Sequence, residues 1–413
     1  MTESPPESND SHNAPWLFGI VVLPYGFTTA VTVLLMPYLL RKYGMPVDRI
    51  ADIGAIAILP AIWSFLWAPL ADTGFLRRRT WIIVSSVTAA AASAVAILDV
   101  HGGEALLTAL LFLANALTGL LSAACGALLT EMPEKLRGHA SGWYQAGNVG
   151  GGALAGGSVI WLADHVSLDL VALVVAAAMI LPSLAALAVA ETAPVRQAIG
   201  PLLAGMAHEL GDMLRSRRTW LGLLFFLSPV GTAAVTNLIS SVGPDYRASG
   251  NEVALVTGVI SGLLSSLACF LGGMVADRMN RMAAYALAGF LTAVFAGWMA
   301  LGPFTPFTYG AGYAGYSIAT GFAYAVYTAL LLDVIGKRAH TAAFAYSALN
   351  ASGNASISYM TWLDGVGYKH AGARGLMGMD AAANGIFAVI LLVVAAFAGR
   401  IISAGESPKS RPV

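Results

Sequence analysis

Apolar residues run in blocks of about twenty, parted by short charged or Pro/Gly breaks, near 16–40, 48–70, 80–99, 104–130, 138–161, 168–190, 218–241, 251–275, 283–301, 307–332, 341–363 and 380–401. A hydrocarbon core about 30 Å thick takes roughly 20 apolar residues per helix. The pattern therefore predicts an all-α membrane protein with twelve transmembrane helices. The longest internal polar stretch, 191–217, divides six blocks from six. It reads as a cytoplasmic linker with a short surface helix, between an N-terminal six-helix bundle at 16–190 and a C-terminal one at 218–401. Residues 1–15 and 402–413 are expected as cytoplasmic tails, the first disordered. Its opening residues carry three acids and no Lys or Arg, the wrong charge for the start of a signal peptide.

Composition sharpens this picture. Of 413 residues 57% are hydrophobic, only 11% are charged, and mean hydropathy is +0.72. A soluble domain carries roughly 25% charged residues. Lys plus Arg equals Asp plus Glu at 22 each, so there is no basic excess for nucleic acid. Cys125 and Cys269 fall inside apolar blocks and behave as small hydrophobes.

Sixteen of the 22 basic residues lie on one alternate set of loops and the C-terminal tail, so by the positive-inside rule both termini are expected in the cytoplasm. No Lys or Arg falls in the interior of a predicted span; Arg49, Arg218 and Arg400 stand at span ends. The two halves repeat. The stretch around Asp72 corresponds to the stretch around Asp277, and ALLTEMPEKLRGHASGWYQAGN at 127–148 aligns on ALLLDVIGKRAHTAAFAYSALN at 329–350. A duplication with parallel halves is a transporter architecture.

The loop after the second block places Asp72 at a helix end and runs three arginines before Trp81. This resembles the loop signature of the major facilitator superfamily. FLWAPLAD at 65–72 followed by RRRTW at 77–81, with LPYGF at 23–27, resembles the AmpG-like muropeptide permease and acetyl-CoA transporter branch. The resemblance implies two pseudo-symmetric six-helix bundles working by alternating access.

It also implies a cytoplasmic gate. A carboxylate at a helix end can pair with nearby arginines and face the positive N-terminus of a helix in the other half. By the family's pattern Asp72 meets the chain near Thr341, and Asp277 meets it near Gly138. Glu131 and Asp333 complete the two networks with Arg77, Arg78, Arg79 and Arg281.

In this superfamily the first, fourth, seventh and tenth helices line the cavity, and here all four carry polar stripes. Expected cavity residues are Tyr25, Thr28 and Thr32; Asn115 and Thr118; Thr232 and Asn237; and Tyr313, Tyr316 and Tyr324. Helices 5 and 11 add Tyr144 and Asn148, then Tyr346 and Asn350. Tyr309 and Tyr327, toward the ends of the same stripe, read as cavity or interfacial aromatics. With no Arg or Lys in the interior of a span, the cavity is expected to be neutral, polar and aromatic, which argues against acetyl-CoA and small organic anions.

The expected function is thus a secondary active permease of the inner membrane that moves a small amphipathic solute, muropeptide-like or peptide- or sugar-like. Uptake is favoured because AGNVGGGALAGGSVI at 146–160 lacks the proline of the family's exporter motif. Proton symport follows from the resemblance alone; Glu131, Asp333, Asp52 and Asp99 sit at helix ends and read as structural. Siderophore uptake, export or facilitation, and a nontransporting sensor are the competing readings. No enzyme motif, metal spacing or cofactor signature occurs. The expected partners are a small-molecule solute, the lipid bilayer and protons, and the chain is expected to be a monomer.

Overall fold

The computed structural model describes residues 13–45, 47–192, 199–336 and 342–405. The predicted tails at 1–12 and 406–413, part of the linker, and Thr341 and His340 lie outside the described residues.

The described residues form helices joined by short turns. Its elements are α1 (Pro15–Leu40), α2 (Val47–Trp63), α3 (Arg78–Leu98), α4 (Glu104–Thr130), α5 (Arg137–His165), α6 (Leu168–Ser183), α7 (Ile199–Arg215), α8 (Arg217–Phe226), α9 (Gly250–Ala276), α10 (Arg281–Leu301) and α11 (Pro306–Ile335). The run Ala342–Gly405 reverses at Ala371 and Gly372 into α12 and α13. Among the described residues, eight stretches are long and apolar enough to cross a bilayer. Helix starts follow their sequence signals. Ser249 and Glu252 form a capping box at α9, and Thr305 caps α11 with Pro306 in its first turn.

Two segments differ from the sequence reading. The block at 218–241 is broken: α8 ends at Phe226, Gly231 and Ala233 take left-handed backbone angles (φ 70° and 51°), and short turns continue to Tyr246. Pro229 and Gly231 disfavour an unbroken helix there. The supposed loop at 364–379 is largely helical, and the reversal is confined to Ala371 and Gly372. Small residues let the hairpin close tightly, since a Cβ on Gly367 would lie 2.4 Å from the Gly375 carbonyl.

Lateral packing explains the apolar exterior. Leu263, Leu267 and Leu271 form an exposed stripe along α9, and Leu173, Leu181 and Trp161 are likewise exposed, as lipid-facing side chains should be. Inside, α1 packs on α5, α3 on α4 and α6, α9 on α11, and α10 on α13; α5 meets α9 and α11, while α4 meets α12.

The buried apolar residues divide informatively. One cluster joins the two halves of the chain, from Leu17 and Leu128 to Leu332 and Leu349. A second draws only on residues 31–179, and a third only on residues 233–377. The first and second halves of the chain therefore share a core at the end that carries the Asp72 and Asp277 loops, and keep separate cores at the other.

Candidate substrate cavity and its latch

Asp72 closes the short turns after α2. Its Oδ2 accepts the backbone N–H groups of Ala343 (2.9 Å) and Phe344 (3.1 Å) at the start of α12, and its Oδ1 accepts from Arg78 at 3.0 Å. Arg78 also donates to Glu131 at 2.7 Å. Burial pushes the Asp72 carboxyl up to about 6, against the pull of Arg78 and the two N–H groups.

Asp277 makes the equivalent contact. It accepts the N–H groups of Gly138 and His139 at 2.7 Å each, at the start of α5, and the His139 ring lies 3.0 Å away. Arg281 joins Asp277 (3.2 Å) to Asp333. A carboxylate at a helix N-terminus gains from both the free N–H groups and the helix dipole. The two arginines flanking Arg78 do not enter this network: Arg77 and Arg79 approach Glu191, at 3.9 and 3.7 Å. Burial raises the Glu191 carboxyl as well. Arg137, not anticipated, donates to the Thr130 and Met132 carbonyls and lies 3.7 Å from Asp333.

Above the latch lies a cavity of about 220 Å³. Seven expected residues line it: Tyr25, Tyr144, Asn148, Thr232, Tyr324, Tyr346 and Asn350. Tyr327 joins them, with Ser122, Gln145 and Asn354 from the same polar stripes. Among the described residues, none that lines it is charged. The polar groups are linked across helices: Ser122 and Tyr144 share a 2.7 Å hydrogen bond, and Gln145 reaches Thr328 of α11 at 2.7 Å.

The other seven expected residues are turned away. Thr28 and Thr118 hydrogen-bond back to carbonyls of their own helices, and Asn115 donates to Thr32 between α4 and α1, so these four act as packing groups. Asn237 lies in the broken segment and donates to Thr361. Tyr313 donates to Thr236 and Tyr316 to Asp380, both buried behind the cavity wall. Tyr309 is also buried, its hydroxyl on the Ile239 carbonyl, rather than interfacial.

Tyr285 of α10 was not anticipated. It lines the cavity, and its hydroxyl donates to the Val230 carbonyl at 2.5 Å. Backbone freed by the helix break also receives Ser356 on Phe226 and Tyr359 on Leu227. Irregular backbone at membrane depth survives where it lines a cavity and its polar groups are satisfied. The only sequence signal was Pro229 close to Gly231.

A family model, the Major Facilitator Superfamily, matches residues 17–361. No curated protein matches the sequence. The fold is similar to that of the human organic anion transporter MFSD10 (TETRAN), at TM-score 0.68 and 14% identity over 91% of this chain and 98% of that one. It is similar to FucP, the E. coli fucose:proton symporter, in the outward conformation, at TM-score 0.68 and 14% identity over 91% and 97%. It is also similar to the proton:xylose symporter XylE, at TM-score 0.68 and 14% identity over 92% and 94%.

Proposed function

The chain belongs to the major facilitator superfamily and is a multi-pass membrane transporter rather than an enzyme, and on that premise we propose a secondary active permease that takes up a small, amphipathic, largely neutral solute by alternating access. The reading comprises twelve helices in two six-helix bundles at 16–190 and 218–401, joined by the 191–217 linker, as a monomer in the inner membrane with both termini cytoplasmic. The solute is muropeptide-like, or peptide- or sugar-like, on the strength of the AmpG-like stretch at 65–81, and proton symport drives it.

One observation carries the proposal: an uncharged, tyrosine-rich cavity lies above two carboxylate latches that join the halves of the chain at one end only. By the positive-inside rule the latched end is cytoplasmic, so this is an outward-facing state. Hydroxyls and amides over an aromatic floor suit sugars and peptides, and the absence of a basic group disfavours an anion.

A thermal-shift panel on the purified protein tests the solute class. A ligand at a hundred times its Kd stabilises the folded state by about 2.7 kcal/mol. Anhydromuropeptides, peptides or neutral sugars should raise Tm. A shift with ferric siderophores alone would move the reading to chelate uptake, and a shift only with CoA thioesters would reject the neutral-solute reading.

A further inference from the structure

Asp364 of α12 and Asp380 of α13 stand seven residues before and eight residues after the Ala371–Gly372 reversal. At 1.5 Å per residue they lie about 10 Å in from the hairpin tip. Both are fully buried, at 0% exposure, within the apolar run 342–397. Between them and the tip, Gly367 packs directly on Gly375, so the two carboxylates sit on the closely packed arms of one hairpin.

The site is short of donors. Neither Asp364 oxygen has a hydrogen-bond partner, nor does Asp380 Oδ2, while Asp380 Oδ1 receives only the Tyr316 hydroxyl, at 3.4 Å. Asn384, one turn along α13 on the same face and 1% exposed, donates its amide back to the Asp380 carbonyl and leaves Oδ1 unpartnered. Four buried acceptor atoms thus have no donor. Among the described residues no Lys, Arg or His forms an ion pair with either carboxylate.

Among the described residues the surrounding elements supply no counter-charge. Tyr316 and Tyr313 face from α11, α10 presents Ala293 and Gly297 to α13, and the broken segment presents Asn237 to Thr361. Lys369, His370 and Arg374 are exposed at the hairpin tip, with Arg374 over the Phe304 ring; Tyr368 and Asp245 pair with each other. Two adjacent buried carboxylates without a cation cannot both stay ionised. A proton supplies the missing donor and needs no coordination shell.

We propose that Asp364 and Asp380 together hold one proton inside the membrane, away from the solute cavity, in this latched state. Tyr316 ties the pair to α11. Thr320 and Tyr324 follow it at steps of four on the same face, and Tyr324 lines the cavity. Loss of the proton would leave two like charges against one tyrosine hydroxyl, favouring an arrangement that opens the hairpin to water. Its use as the coupling proton rests on the symport reading; its presence does not.

Infrared spectroscopy of the purified protein in nanodiscs tests the site without any solute. Asp72→Asn protein, which removes the latch carboxyl from the signal, should show a protonated carboxylic acid band at pH 7 that shifts in D2O. The band should vanish when Asp364→Asn and Asp380→Asn are added. A band unchanged by these two substitutions, or no band at pH 7, would overturn the proposal. So would a rise in Tm when sodium replaces choline at fixed pH and ionic strength, which would assign the pair to a metal cation. If the double variant fails to fold, Asp364→Asn and Asp380→Asn made singly in the Asp72→Asn protein decide: a pH 7 band that weakens or shifts in either supports the site, and a band unchanged in both, or absent at pH 7, rejects it. Failure here would leave the permease reading intact, and a solute accumulated without a pH gradient would leave the proton site intact.

Discussion

Asp72 and Ala343 are 271 positions apart in the chain, yet the carboxylate of one accepts the backbone N–H of the other at 2.9 Å. Asp277 and Gly138 repeat the contact at 2.7 Å from the opposite direction. Each half of the chain thus grips a helix N-terminus of the other, and among the described residues nothing comparable joins the separate cores at the far end.

Removing a latch carboxylate should release that end. Asp72→Ala leaves the buried N–H groups of Ala343 and Phe344 short of an acceptor, and hydrogen bonds to charged groups contribute about 1.5–3 kcal/mol each. The latched population should fall about ten- to a hundredfold relative to the released one, as should that of Asp277→Ala. Thiol labelling of a cysteine introduced beside Gly138 would measure it, since native Cys125 and Cys269 are buried. Unchanged labelling in both variants would refute the latch.

Acid should tighten the same contact. Asp72 titrates near 6 when buried in the latch, and a released, hydrated carboxyl returns toward about 3.9. The latched form therefore binds more protons between about pH 6 and 4. Its stability relative to the released form should rise as pH falls through that window, by up to about 3 kcal/mol, and level off below it. Labelling should slow from pH 7 to 5 in the wild type and respond less in Asp72→Asn; an equal response would remove Asp72 as the cause.

Cavity and packing tyrosines should separate in assay. Tyr324→Ala and Asn350→Ala alter the cavity wall and should weaken solute binding about tenfold or more. Tyr313→Ala, which removes a buried ring hydrogen-bonded to Thr236, should instead lower Tm, with a core-truncation cost of about 3–5 kcal/mol. Calorimetric titration beside a melting curve distinguishes them. Equal loss of affinity in all three would return Tyr313 to the cavity.

The helix break should depend on Tyr285. Tyr285→Phe keeps the ring and strands the Val230 carbonyl, at a cost of about 1–3 kcal/mol. Tm should fall by several degrees, and hydrogen exchange should speed up over residues 227–238. A Tm equal to wild type would mean that the carbonyl finds another donor.

The latch was nearly complete in the sequence because its parts are local signals: a carboxylate at a helix end, arginines in the next turn, and the same arrangement about two hundred residues later. What sequence misassigned was the choice among the three arginines. All three carry the same charge at the same loop, and only the path of the chain at Glu191 takes Arg77 and Arg79 away from Asp72. Half of the cavity set was legible for a similar reason. Spacing identifies a polar helical face, but not what that face meets, so Tyr316 and Tyr324 share a stripe while one reaches Asp380 and the other the cavity.

The sequence by itself determined the membrane class, most of the helix segmentation, the internal repeat and the latch carboxylates, because the bilayer imposes length and polarity on each segment separately. The tertiary structure alone decided the break after Phe226, the tight Gly367–Gly375 hairpin, and the burial of Asp364 and Asp380 together. Those features depend on donors, small residues and missing counter-charges brought by other helices, and a linear reading cannot see which neighbours a side chain will have.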